Sequence, residues 1–309
     1  MSNMIRFILK RLGMTVIILF FVSIIAFGLM RIAPGNPAMM VLPDGASQEA
    51  IHEMEIQLGL DKPLPVQYLK YISGVLKGDL GTSIIYKVPV KKLIFQRLPA
   101  TASLTVVTMA VCLLISIPLG IIAGSRQGTI VDLLATLFAL LGQSMSTVWL
   151  GIFVIYIFSV KLGILPAMGY GTWQHYILPA CTLGYPVAAQ VTRMGRSGII
   201  DVLKEDYITA TYSKGISKAV IYTKYAFKNA LIPIVTIVGM QIGTYMAGAV
   251  VVETIFAWPG FGQLIFQAVG TRDYPLVQSC LLVSAAMFAL INLAVDILNS
   301  FIDPRITLK

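Results

Sequence analysis

The residues best suited to covalent or redox chemistry are few and poorly placed for it. Cys112, Cys181 and Cys280 lie in or beside apolar runs without paired spacing, which makes neither a metal box nor a disulfide framework. They read as small core hydrophobes. His52 and His175 are far apart, and neither has another His, Cys or Asp at ligand spacing, so no metal is expected. There is no Gly-x4-Gly-Lys-Ser/Thr loop, no His-Glu-x-x-His and no Gly-x-Ser-x-Gly; nucleotide, zinc-hydrolase and serine-hydrolase chemistry are disfavoured. Asp132, Glu253 and Asp296 fall near the ends of apolar runs, whereas a proton-coupled carrier needs such groups at mid-span. The chain is expected to have no catalytic residues and no cofactor. Any energy it uses must come from another polypeptide.

One stretch combines charge, order and position. Glu205–Pro233 is a basic island between long apolar runs. Tyr207, Ala210, Thr211 and Lys214 fall at i, i+3, i+4 and i+7, so they are expected on one face of a short helix. Gly215 stands where a helix stops, because Gly enters the left-handed cap without a Cβ clash. A second helical stretch, from about Ser217 to Ala230, leads into Pro233. The alternative is an amphipathic loop lying on lipid headgroups.

The elements that position this island are membrane spans. Of the 309 residues, 57% are apolar and 12% charged, and mean hydropathy is +0.83. A soluble chain of this length carries about 25% charged residues. The net charge of +9 fits topology signals and cytoplasmic-leaflet lipids. No basic strip with interleaved aromatics points to nucleic acid.

The run Leu12–Met30 follows Arg6, Lys10 and Arg11; it is too long for a signal peptide's apolar core and reads as a retained first helix. Arg31–Leu98 is rich in Pro and acidic residues and reads as a soluble excursion. Helices are predicted over Gln48–Gly59 and Val66–Leu76, with a turn at Gly78–Gly81. The second uncharged run lies between Arg97 and Arg126 and ends in Gly120 and Gly124, a Gly-x3-Gly pair. The third lies between Asp132 and Lys161, interrupted by Gln143, Ser144 and Ser146. Those three either line a solute path or make interhelical hydrogen bonds. Both runs exceed a span's length, so tilt or an interfacial end is expected. The fourth span is predicted from about Ile177 to Val191, with the chain emerging at Arg193 and Arg196. The fifth runs from about Leu231 to Val252; Gly239, Gly243 and Ala247 leave one face nearly bare for close helix packing. Two turns over Glu253–Tyr274 predict a short interfacial helix, and the sixth span covers about Leu276–Ile297.

The island resembles the signature loop of ABC importer permeases, on Ala210, Thr211, Gly215, Leu231, Ile232 and Pro233. It is most similar to the dipeptide/oligopeptide/nickel branch, on Glu205, Asp206, Tyr207, Lys214 and Gly215. Thr211 replaces the usual Ala, and Thr209 stands where the wider superfamily has Glu. Pro34–Ala38 (with Asn36 for the usual Asp), Leu58–Tyr68, Gly78–Ser83, Val251–Glu253, Phe256–Gly262, Arg272–Pro275 and Asp303–Arg305 extend the resemblance. It implies an all-α polytopic membrane protein: a first helix at 1–30, an extracytoplasmic insert at 31–98, and a five-helix core at 99–309 with a coupling loop at about 197–230. The insert would lie near the face that docks a binding protein; alternatively it is a plug that packs on the bundle. The resemblance further implies a second permease, two ATPase subunits and an extracytoplasmic substrate-binding protein. Ala210 and Thr211 would seat the loop in an ATPase groove, and Glu205 and Asp206 would sit at its positive helix end. Cargo classes are peptides, glutathione and nickel or its chelates.

Charge supports this topology independently. Arg193–Lys228 holds seven basic and three acidic residues. Placing such a loop outside opposes the membrane potential by roughly 9 kcal/mol per 100 mV. Six spans put both termini and this loop in the cytoplasm, and the resemblance implies that the membrane is a bacterial inner membrane. The rival classes are a self-sufficient channel or secondary carrier, and a non-transporting scaffold.

Overall fold

The computed structural model describes residues 2–32, 39, 42 and 45–302. Regular structure among them is helical, and one isolated bridge pairs Thr82 with Pro89. α1 (Ser2–Ile32) is followed by two short helices, α2 (Gln48–Leu58) and α3 (Leu64–Leu76). Ser47 caps α2 by accepting from the Ala50 N–H, and Gly59 closes it at φ 69°. α4 (Val90–Ser125), α5 (Ile130–Ser144) and α6 (Thr147–Val154) come next, α6 running on as a π-helix over Ile155–Lys161. α7 (Gln174–Val202) leads to α8 (Asp206–Ser213). α9 (Lys218–Val220), a π-helical turn (Ile221–Ala226) and α10 (Phe227–Met246) follow without a gap. α11 (Val250–Ile255), α12 (Phe261–Gly270) and α13 (Tyr274–Ile302) complete the chain.

Among the described residues, three helices are long and apolar enough to cross a membrane: Ile8–Leu29, Val90–Ser125 and Tyr274–Ile302. A fourth crossing is the pair Ile130–Ser144 and Thr147–Lys161 if taken as one span, bent by 108°. The excess length of that run goes into the bend. Met145 (ψ 133°) and Ser146 (ψ 135°) are both extended, and two such residues in a row break the hydrogen-bond ladder.

α4 and α7 form the centre. A methyl on Gly120 would lie 3.1 Å from the Thr192 carbonyl oxygen, and one on Gly124 2.9 Å from the Arg196 carbonyl oxygen. The Gly-x3-Gly pair therefore brings two backbones together. α5 runs back along α7: Asp132 meets Arg196, Phe138 stacks edge-on to Tyr185, and Gly142 sits against Ala189. α10 and α13 pack through Gly239 against Val295 and Gly243 against Phe288. Ser284 Oγ donates to the Ala247 carbonyl at 2.8 Å.

These contacts sort the molecule into two ends. At one, Arg11 of α1 pairs with Asp296 of α13 at 3.1 Å, and α8 lies against the C-terminal parts of α4 and α7. At the other, Phe27 of α1 packs on Tyr68 and Tyr71 of α3, and Tyr170 and Tyr176 pack on Trp258.

Three boundaries differ from the sequence expectation. α7 continues through Arg193 and Arg196 to Val202, because Asp132 neutralises Arg196 within the packed bundle. α4 begins at Val90 and takes Pro99 and Pro118 inside it, so the helix already includes the last residues assigned to the insert. The helical stretch after Ser217 and the fifth span form one continuous run, which keeps Pro233 inside α10 and stops at Met246, short of the expected Val252; the π-helical turn upstream of Pro233 supplies local slack. Pro34–Ala38 and Asp303–Lys309 lie outside the described residues.

Candidate functional site

The basic island folds as a knob tethered by one apolar foot. After α7 the chain turns, with Glu205 N–H donating to the Val202 carbonyl and Ile208 N–H to the Glu205 carbonyl, both at 3.0 Å. Ile208 and Ile221 are fully buried against Ile199 and Val202, with Ile121, Ile216 and Tyr222 around them. Burying one Ile contributes about 1.5–3 kcal/mol, so two at the foot hold the knob to the bundle. Gly215 at φ 73° ends α8. A methyl there would meet nothing within 4 Å, so backbone conformation, not space, requires glycine.

The outward surface carries the polar groups. Glu205, Asp206, Ala210 and Lys214 are exposed, and Tyr207 is 43% exposed. Thr211 differs from the expected shared face. It is 8% exposed, and its Oγ1 donates to the Tyr207 carbonyl at 2.7 Å. Ile208 on the adjacent turn sets the buried side, and Thr211, three residues on, follows it inward. The side chain of Thr209 lies outside the described residues.

Gln143, Ser144 and Ser146 cluster at the break between α5 and α6, all exposed. Ser144 Oγ donates to the Leu140 carbonyl at 2.8 Å. Backbone groups at such a break need protein or water at membrane depth. Gly239, Gly243 and Ala247 form the seam with α13 described above.

Three polar anchors have no distinct signature in the sequence. Arg196 grips Asp132 with both Nε and Nη2, and Gly128 N–H donates to Asp132 Oδ2 at 3.0 Å. This clamp ties α7 to the start of α5 on the knob's side. Glu253 is fully buried. Its Oε1 accepts from Thr101 Oγ1 at 2.7 Å and its Oε2 from the Gln263 N–H at 2.8 Å, which places a carboxylate at the N-terminal end of α12. Asp273, also fully buried, accepts from Ser83 Oγ and from the Ile84, Ile85 and Leu276 N–H groups. It fastens the turn before α4 to the start of α13. The sequence shows them only as carboxylates beside helix starts, where proximity to a span end makes them look interfacial. Among the described residues no cluster of three or more His, Cys, Asp or Glu could hold a metal.

Comparison with known proteins covers almost the whole chain. The family model for binding-protein-dependent transport system inner membrane components matches residues 116–308. The model for the N-terminal part of such membrane components matches residues 4–105. The dipeptide transport system permease protein DppB of Alkalihalophilus pseudofirmus is 39% identical, over 98% of this chain and 99% of that one. The glutathione transport system permease protein GsiC of Salmonella paratyphi A is 40% identical, over 99% of this chain and 100% of that one. Among solved structures, a chain of the MetNI methionine ABC transporter in an inward-facing conformation superposes with a TM-score of 0.56 at 19% identity, covering 69% of this chain and 97% of that one. That likeness is one of fold.

Proposed function

The chain belongs to the binding-protein-dependent transport system inner membrane components, and from that premise we propose how it works as the permease of an ATP-driven importer. It is a multi-pass inner-membrane subunit and not an enzyme; the family name implies a binding protein and an ATPase as partners. Peptides of two or a few residues, or glutathione, are the cargo its relatives suggest; nickel or its chelates are the remaining class. A second permease and two ATPase subunits complete the assembly.

Six crossings fit the packing. α1, α4, the bent α5–α6 pair, α7, α10 and α13 each run between the two ends described above. The pairing of Arg11 with Asp296 favours an even number, with both ends of the chain on the knob's side. The basic residues of that side favour the cytoplasm. Residues 31–98 then form the extracytoplasmic insert, and the rest of the chain after it forms the core.

The observation that carries the mechanism is the division of α8. One face is anchored by Ile208, and the other presents Asp206, Tyr207 and Ala210 outward, flanked by the exposed Glu205 and Lys214. Such a helix can take a push from a separate subunit and pass it through Ile208, Ile199 and Ile221 to α7 and α10. Thr211 belongs to the transmitting side. Gln143, Ser144 and Ser146 border the solute path at a break whose backbone groups need polar company.

The test is uptake in vesicles containing both permeases, ATPase and binding protein. Gly215→Arg is expected to insert normally yet abolish cargo-stimulated uptake. Normal uptake by that variant sinks the role of the knob. Transport by the purified chain alone, without ATPase, would favour the self-sufficient carrier.

A further inference from the structure

A cavity of about 260 Å³ lies where the insert meets the membrane helices. Its walls come from the end of α1, from α3, from the turn after α3 and from the start of α13. Apolar surface comes from Phe27, Leu60 and Ile84. Two charges of opposite sign, Lys70 and Asp79, also border it, yet no ion pair joins them. Three bordering residues bury a polar atom without a hydrogen-bond partner: Gln67 Oε1, Tyr71 Oη and Tyr274 Oη. Half of such atoms among the described residues thus gather at one place. Buried polar atoms left without partners are costly, and a ligand with polar ends would pair with all three. Burial pushes the Tyr71 phenol up to about 12, so it stays a neutral donor.

We propose that this cavity binds a small zwitterion, of free amino acid to dipeptide size, with its carboxylate toward Lys70 and its ammonium toward Asp79. The phenols donate to the carboxylate, and Gln67 Oε1 accepts from the ammonium. Gln67 is already oriented for this, because its Nε2 donates to the Leu60 and Lys62 carbonyls at 3.2 and 2.7 Å. The volume is just below the roughly 300 Å³ at which drug-sized sites begin. The site lies away from α8 and from the break at Ser144–Ser146, so the proposal does not rest on the transport reading.

Ligand-observed saturation-transfer NMR on the full chain, in its complex and without ATP, tests it. The probes are L-alanyl-L-alanine and the same dipeptide acetylated and amidated, which lacks both charges. The free dipeptide is expected to bind and the capped one not. Lys70→Gln and Asp79→Asn are each expected to weaken binding roughly tenfold, the loss of one charge-assisted hydrogen bond. Asn at 79 can still accept from the Gly81 N–H, so the turn is kept. Amide exchange at Tyr274–Gln278 should slow with the free dipeptide only in the unsubstituted chain. Absence of binding at millimolar probe, equal binding of the capped dipeptide, or binding indifferent to both substitutions would each overturn the proposal.

Discussion

The two ends of this molecule are built on different principles. At the insert end, buried carboxylates do the fastening. Glu253 and Asp273 are fully buried, and each collects several donors from separate segments. The non-glycine residues with positive φ among the described residues are Lys87, Ala257 and Arg272, all at this end and two of them close in sequence to a buried carboxylate. Strained backbone persists where surrounding contacts over-determine it. At the knob end, apolar contact through Ile208 and Ile221 does the fastening, and the charges face outward. Hydrogen-bonded buried carboxylates are directional and fail abruptly, whereas an isoleucine contact slides. A frame held by directional bonds at one end and an apolar foot at the other suit the one-sided push proposed above.

The largest expected effect breaks the hydrogen-bonded frame. Glu253→Ala removes the acceptor of Thr101 Oγ1 and of the Gln263 N–H inside a packed site. Leaving both donors unpaired costs about 3 kcal/mol or more. Thermal unfolding of the purified complex in detergent should show a drop of many degrees, or no folded protein at all. Glu253→Gln keeps an acceptor and should retain part of the stability. If the alanine variant melts like the original, buried carboxylates do not fasten this end. Next in size, Gly239→Leu would drive a side chain into Val295. Overpacking costs about 1–3 kcal/mol, read as the same melting shift; here the seam between α10 and α13 is at stake, and a neutral result would mean the helices separate freely.

The contrast between the ends also explains what was legible in the chain. Helices α2 and α3 could be read from spacing and from Gly59, because local rules decide them. The all-helical class could be read from the apolar runs. Residues with two compatible roles were harder. Gln143, Ser144 and Ser146 are polar in any conformation, so a 108° break and a polar helix face look alike in sequence. Arg193 and Arg196 looked like the end of a span until Asp132, 64 residues away, supplied a partner. Thr211 stood with Tyr207 and Lys214 by spacing, but a fully buried Ile208 turned it inward. Glu253 and Asp273 were visible as acids and invisible as caps, since their donors at Thr101 and Ser83 are more than 150 residues away.

The clamp between Arg196 and Asp132 sharpens the comparison, because it is a directional contact at the otherwise apolar end. Asp132→Asn keeps the shape and removes the charge. Breaking a largely buried pair costs up to about 3–5 kcal/mol, and less where water reaches it. Arg196 is 27% exposed at its side chain, so an intermediate loss is expected, about 1–2 kcal/mol after screening. The informative readout is coupling: ATPase stimulation by loaded binding protein should fall more than stability does. If stability alone falls, the clamp is a strut of the frame and plays no part in passing motion from α7 to α5.

The smallest effect is expected at Arg11 and Asp296. Their 3.1 Å pair is 44% and 30% exposed at the side chains, and such pairs contribute about 0–1 kcal/mol. Arg11→Gln and Asp296→Asn should each shift melting only slightly. A double-mutant cycle should give a coupling below about 1 kcal/mol, the range usual for exposed pairs. Raised salt should shrink it further. A coupling above that range, insensitive to salt, would mean that this pair is sheltered as the buried carboxylates are. The knob end would then be tied by charge as the insert end is, and the division between a rigid frame and a sliding foot would fail at its least protected point.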